Sequence, residues 1–248
     1  MTVDGARELP GASARPRRRR TIGAISLTAL AGTAAVLVGV IGRGGATPAP
    51  PPLARGVPSA LADLMGLSAL PARAAPAFTL VDQHGRRVSL RSLRGRAVVL
   101  EFMDPHCVDV CPIVAQEFVD AYRDLGGTAA RVDFVAVNVN PYHRAVSDVA
   151  AFTREHGLSA IPSWEFLTGP VRRLEAVWHG YDVYVHAPSR NADVIHTSIV
   201  YFIDPLGRER YVAAPQVDHT ASGRAYLPPA PLAAWGRGIA TVARDLAA

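Results

Sequence analysis

The stretch Ala97-Val-Val-Leu-Glu-Phe-Met-Asp-Pro-His-Cys-Val-Asp-Val-Cys-Pro112 decides how the rest of the chain is read. Its first seven residues are short, apolar and partly β-branched, the pattern of a buried central strand. A helix start follows. Asp109 and its neighbours stand at the N-terminus, Pro112 falls near the first turn where a missing N–H costs little, and Val114, Phe118, Tyr122 and Leu125 share one face. Between strand and helix sit the chain's two cysteines, Cys107 and Cys111. Residues four apart on a helix lie on one face with their Cα atoms about 6 Å apart, inside the usual disulfide window. The two sulfurs can therefore bridge each other or chelate one ion. Helix N-terminal amides favour anions, so the thiol nearest the helix start should ionise early, and thiolate is both the nucleophile and the metal ligand. Two cysteines in 248 residues are no disulfide framework, and redox and metal chemistry both stay open.

Outward from this stretch the elements alternate. Upstream, Phe78-Thr-Leu-Val and Arg87-Val-Ser-Leu flank the turn-rich Asp82-Gln-His-Gly85, which predicts a β-hairpin. Downstream, Gly126-Gly127 stops the cysteine helix, Val132 to Val139 reads as a strand, and Ser147 to His156 as a helix. Trp164 to Thr168 is a short strand, Pro170 to Trp178 a helix, and Thr197 to Asp204 a strand. Pro205-Leu-Gly207 turns into Arg208 to Ala213, and Ala230 to Ala247 closes the chain as a helix. This order predicts a mixed α/β sheet flanked by helices. With cysteines between the first core strand and its helix, the layout is thioredoxin-like.

The N-terminus sets the expected compartment. The first twenty residues carry six arginines against Asp4 and Glu8, which accounts for most of the net charge of +5 and leaves no basic nucleic-acid footprint on the remainder. Residues 1–20 thus read as a basic cytoplasmic tail. Thr21 to Gly42 is uncharged and apolar, long enough to span roughly 30 Å of hydrocarbon, and basic residues before a span keep the N-terminus inside. A single-pass signal anchor is expected at 21–42, with a cleaved signal peptide as the rival reading. The soluble domain is then placed on the extracytoplasmic side of the cytoplasmic membrane. Residues 43–75 are rich in Ala, Pro and Gly and read as a linker with one short amphipathic candidate at Ser59 to Leu67, and residues 76–248 as the folded domain.

Two thiolates rarely complete a metal site, and eight histidines compete for a third place. His196 is singled out, because in thioredoxin-like folds the loop before the penultimate strand faces the cysteine loop, and Val194-Ile-His-Thr-Ser-Ile-Val-Tyr-Phe-Ile-Asp204 puts a histidine there. His219, in Val217-Asp-His-Thr220, lacks a following strand and ranks second. Thiolates with imidazole suit Cu(I) and accommodate Cu(II), whereas Zn(II) usually wants a fourth ligand.

Cys-Val-Asp-Val-Cys-Pro after a strand, with Ile-His-Thr-Ser-Ile-Val-Tyr-Phe-Ile-Asp-Pro-Leu-Gly-Arg some ninety residues later, resembles the Sco/SenC family of copper-binding cytochrome c oxidase assembly proteins. The resemblance covers about Pro76 to Ala247. It implies copper held by Cys107, Cys111 and His196, and delivery of copper to the binuclear centre of cytochrome c oxidase subunit II. A second copper chaperone is an implied further partner. The alternative it leaves open is a thiol-disulfide oxidoreductase using Cys107 and Cys111 as a redox pair to keep the subunit II cysteines reduced. Two departures stand out: Val139-Asn-Pro141 where many members carry Val-Asp-Pro, and Ile195 where an Asp is frequent.

Overall fold

A computed structural model describes residues 52–248. The expected tail at 1–20, the span at 21–42 and the first part of the linker lie outside the described residues. Among the described residues no helix is long and apolar enough to cross a membrane.

The centre of the sheet is β4 (Ala97–Met103), paired in parallel with β5 (Val132–Asn138) so that Met103 stands opposite Asn138. Both strands are buried along their whole length, which is why both read as mostly apolar runs, broken only by Glu101 in β4 and by Asp133 and Asn138 in β5. β6 (Trp164–Leu167) extends the parallel half beyond β5. On the other side of β4 lies β9 (Val200–Ile203), antiparallel, with Tyr201 opposite Leu100. β10 (Arg208–Ala213) folds back beside β9, and β1 (Ser68–Ala74) closes the order β1-β10-β9-β4-β5-β6.

Alternate residues of β4 serve two cores, as a period of two requires. Val99 and Met103 face α2 (Val110–Leu125), α3 (Val146–Glu155) and α5 (Pro229–Leu246) through Val114, Phe118, Phe152 and Ile239. Val98, Leu100 and Phe102 face α4 (Val171–Gly180) and the hairpin β2 (Thr79–Val81) and β3 (Arg87–Ser89) through Leu80, Val88 and Leu174. The hairpin is a two-stranded sheet of its own, tied to the end of β6 by a bridge between Val81 and Thr168. Its turn and the β9–β10 turn use one device. Asp82 Oδ1 accepts the backbone N–H groups of His84 and Arg86 at 2.9 and 2.8 Å, and Asp204 Oδ1 accepts those of Leu206 and Arg208, both at 3.0 Å. Gly85 and Gly207 complete these turns at φ of 77° and 76°, where a Cβ would be strained.

The structure corrects the sequence expectation for residues 59–75. The linker does contain the expected short helix, α1 (Ser59–Met65), but Ser68–Ala74 is a strand of the main sheet. The folded domain therefore begins well before residue 76. Two physical reasons hide this strand. It lies at the sheet edge with most of its side chains exposed, so no apolar alternation marks it. It also contains Pro71, which an edge strand tolerates and which falls within the register shift between Ala69 and Arg73. The expected strand Thr197–Asp204 is also shorter in the structure: only Val200–Ile203 joins the sheet. Four two-residue strands, β7 (Val185–His186), β8 (Ile195–His196), β11 (Asp218–His219) and β12 (Ala225–Tyr226), form two further hairpins.

The cysteine helix is seated on α5 through small residues. A Cβ on Gly236 would lie 2.8 Å from Asp120 Cβ and 3.3 Å from the Ala121 backbone nitrogen, so α2 and α5 approach only because the side chain is a hydrogen. Helix propensity alone favours Gly236→Ala by about 1 kcal/mol, whereas overpacking against backbone costs about 1–3 kcal/mol. The nearest atom is Asp120 Cβ, which is fixed to the backbone and which no rotamer change can move, so the cost is expected to win: Gly236→Ala should lower the urea midpoint, and Gly236→Leu should lower it further. A midpoint raised by the alanine would show that the helices separate freely.

Candidate metal centre

The loop between β4 and α2 is shaped by Asp104, which is almost wholly buried. Its Oδ1 accepts the His106 N–H at 2.9 Å and an Asn140 side-chain N–H at 3.0 Å, and its carbonyl accepts the Cys107 N–H at 3.1 Å. Asn140 is one of the departures noted above. An aspartate there could not donate to Asp104, so the amide satisfies a carboxylate that would otherwise face another. Asp109 stands at the N-cap position, but its side chain reaches across to accept the Ala225 N–H at 2.8 Å, tying the cysteine loop to β12.

Only Cys111 is helical. Cys107 precedes the helix, so the pair does not share a helical face in the simple i, i+4 sense. The sulfurs nevertheless converge, because the Cys111 N–H donates to Cys107 Sγ at 3.4 Å. Both cysteines are free thiols, Cys107 half-buried and Cys111 buried. The Cys111 thiol donates to Cys107 and, with the backbone N–H groups of Cys111 and Asp109, pulls the Cys107 pKa down to about 7, against the opposing effects of burial and the Asp104 charge. The same hydrogen bond, burial and the Cys107 charge push Cys111 well above the ordinary thiol range. One accessible thiolate backed by one buried proton donor is the result.

His196 sits on β8, paired with Val185 of β7. Its Nδ1 lies 3.0 Å from the Thr197 carbonyl, and burial, the largest influence on the ring, lowers its pKa. With Nδ1–H donating to that carbonyl, Nε2 holds the lone pair of a neutral imidazole, the form that binds metal. Cys107, Cys111 and His196 line one cavity of about 900 Å³, with Glu101, Asp104 and Ser198 in its wall. Two apolar side chains at this cavity, Val108 and Ile195, are 88% and 62% exposed.

The second-ranked His219 is on exposed β11, 4.0 Å from Asp109, and does not line the cavity. Sequence reasoning passed over His143, which the structure brings against His106 with ring centroids 3.8 Å apart. Among the described residues, the one trio of potential ligand atoms all within 4.8 Å of one another is His106, His143 and Asp148. Cys107, Cys111 and His196 share a cavity without being drawn that tightly together.

Glu101, on β4, was read only as part of the strand. Its Oε1 accepts from the Ser198 hydroxyl at 3.0 Å, while Oε2 has no partner among the described residues, and burial raises its pKa to about 8.

A mixed sheet with helices on one face and a helix and hairpin on the other, and a dithiol at the start of the helix after its central strand, defines a thioredoxin-like domain. His196 lines the same cavity as its thiols. The chain belongs to the SCO1/SenC family, whose model matches residues 68–222. The SCO1 protein homolog of Bacillus subtilis is 28% identical over 133 residues, covering 53% of this chain and 68% of that protein. The mitochondrial SCO2 homolog of Homo sapiens is 28% identical over 136 residues, covering 52% of this chain and 50% of its own length, so the chain spans about half of this relative. The crystal structure of Arabidopsis thaliana ScoI with copper bound superposes with a TM-score of 0.52 at 24% identity, over 59% of this chain and 90% of that one, and shows the common fold.

Proposed function

We propose that this protein is a copper carrier whose cargo is held by Cys107, Cys111 and His196 and passed to the binuclear copper centre of cytochrome c oxidase subunit II. The carrying observation is that these three donors line one cavity. Family membership supports the reading, as do relatives solved with copper bound. The Cys107 thiolate, formed near pH 7, would meet the ion first. Cys111 would give up its proton as it coordinates, and His196 would add Nε2 from the facing strand. In this proposal the segment 21–42 anchors the chain as a single-pass membrane protein, with this domain on the extracytoplasmic side. The exposed Val108 and Ile195 give the mouth an apolar rim on which a partner presenting its own cysteines could seat.

The thiol-disulfide reading is favoured by one specific observation, the half-buried low-pKa Cys107 set against the buried Cys111 donor. The Cys107 thiolate would attack a subunit II disulfide, releasing one partner thiol. The Cys111 thiolate would then displace the second, leaving a Cys107–Cys111 disulfide and a reduced partner. Coordinated thiolates cannot attack, so carrier and reductase would be alternate states of one site.

The deciding test is copper titration of the wild type and His196→Ala, followed by optical absorption and EPR. The wild type is expected to bind one equivalent of Cu(II) that carries sulfur-to-metal charge-transfer bands together with nitrogen hyperfine structure, apart from any Cu(II) bound without sulfur. In His196→Ala this sulfur-ligated species should lose its nitrogen splitting and bind Cu(II) about a hundredfold more weakly, while Cu(I), satisfied by soft thiolates, changes less. Unchanged Cu(II) spectra in the variant would remove His196 from the ligand set.

A further inference from the structure

We propose that His106, His143 and Asp148 form a second metal site, beside the cysteine cavity, that takes divalent first-row cations, Cu(II) most tightly. The topology brings them together. β4 and β5 are parallel with Met103 opposite Asn138, so the loops that follow them leave the sheet side by side. His106 comes from the first loop and His143 from the second. A buried network locks the loops to each other: Asn140 donates to Asp104 Oδ1 at 3.0 Å, the His106 N–H donates to the same oxygen at 2.9 Å, the His143 N–H donates to Asn140 Oδ1 at 3.0 Å, and Asn138 Nδ2 donates to the His143 carbonyl at 2.7 Å. Three of these four bonds use the backbones of the two histidines, and none uses their rings.

The rings meet at 3.8 Å between centroids, tilted by 32°. His106 Nε2 faces Asp148 Oδ1 at 3.8 Å, while Asp148 Oδ2 is held by the Ala145 N–H at 3.0 Å, which fixes the carboxylate on the first turn of α3. His143 Nε2 lies 3.2 Å from the Arg190 carbonyl, and with that nitrogen donating, Nδ1 is left with the lone pair, the arrangement by which ligating imidazoles are oriented. One ligand atom from each residue lies within 4.8 Å of the other two. Ligands about 2.0–2.1 Å from a tetrahedral ion sit roughly 3.3 Å apart, so an ion would draw the trio in by about 1.5 Å or less, a matter of side-chain torsions for a His106 that is half exposed. Two imidazoles and a carboxylate are borderline donors that select Cu(II), Ni(II) or Zn(II) over Cu(I), with Cu(II) at the top of the affinity order. This is the converse of the thiol pair next door, and it does not depend on whether those thiols carry copper.

The experiment uses the full chain carrying Cys107→Ala, Cys111→Ala and His196→Ala, which removes every donor of the proposed copper cargo site. Titration with Cu(II) alone, followed by calorimetry and EPR, should still show one equivalent with hyperfine splitting from two imidazole nitrogens. Adding His143→Ala should weaken binding by on the order of tenfold or more and lose one nitrogen, and adding both His106→Ala and His143→Ala should abolish it. His219→Ala should change nothing. The backbone bonds of residue 143 survive the substitution, and circular dichroism checks that the fold does too. No Cu(II) uptake by the triple variant, or uptake indifferent to His106 and His143, would overturn the proposal. The copper-carrier reading fails separately, if a His106→Ala and His143→Ala variant with Cys107, Cys111 and His196 intact does not bind Cu(I).

Discussion

Cu(I) affinity is expected to fall by about three orders of magnitude when either Cys107 or Cys111 becomes alanine. A closed thiolate and imidazole site binds its ion with roughly 10–16 kcal/mol, so one of three donors carries about 4 kcal/mol, and each 1.4 kcal/mol is about a factor of ten. Competition against a chromogenic Cu(I) chelator measures this directly. A loss under about tenfold in both variants would mean that copper sits elsewhere. The two substitutions should part company in thiol reactivity. In the wild type Cys107 is the more exposed sulfur and has a pKa lowered to about 7 by the Cys111 thiol and nearby backbone N–H groups. In Cys111→Ala the largest of those influences is gone, so the Cys107 pKa rises and alkylation near pH 7 slows. In Cys107→Ala the remaining thiol is buried and should react hardly at all. Equal alkylation rates in the two variants would contradict the roles assigned to them.

The parts of this domain that sequence made legible are those whose physics is local. β4 and β5 read correctly because strands buried on both faces are mostly apolar, and Glu101, Asp133 and Asn138 are too few to hide the run. β10 and α5 fall within a residue of their expected bounds, because a Gly turn and a repeating apolar face marked them. Cys107 and Cys111 were legible as a pair from spacing alone, and His196 from its place before a strand. What was hidden depends on which strands are neighbours. β1 is held by an edge it does not itself define, and its exposed Ala and Pro residues carry no period. His106 and His143 meet only because β4 and β5 run parallel and in register, so that residues far apart in the chain leave the same edge of the sheet together. Nothing in the local letters around His143 signals this. The one available hint was the pair Asn138 and Asn140 at the end of a buried strand, polar residues that had to find partners and found the two loops.

Stability should fall as pH rises from about 5 to 9, and two carboxyl groups in the core give the reason. Glu117 on α2 is fully buried, neither of its carboxyl oxygens has a partner among the described residues, and burial, with the Glu101 charge secondary, lifts its pKa to about 9. Burial lifts Glu101 to about 8. Both ordinary values are 4.5. Folded pKa values above unfolded ones mean that the native state holds protons the unfolded chain has released. The penalty is therefore absent below about pH 4.5, grows through the neutral range, and levels off once pH passes the folded values. Each unit of separation is worth about 1.4 kcal/mol, so even a strongly screened difference amounts to a few kcal/mol at pH 8. Glu117→Gln stays neutral throughout and should match the wild type in urea midpoint near pH 5, then exceed it increasingly toward pH 9. Glu117→Leu should do the same and gain further at every pH, because it also removes two unpartnered oxygens from the packing between α2 and the sheet. Parallel pH curves for wild type and Glu117→Gln would show that Glu117 is ionised in the fold, with water or a cation reaching it. The placement matters for the site as well. Glu101 lies in the cavity wall, hydrogen-bonded to a serine two residues from His196, so charging it above pH 8 would put a negative group beneath the proposed donors.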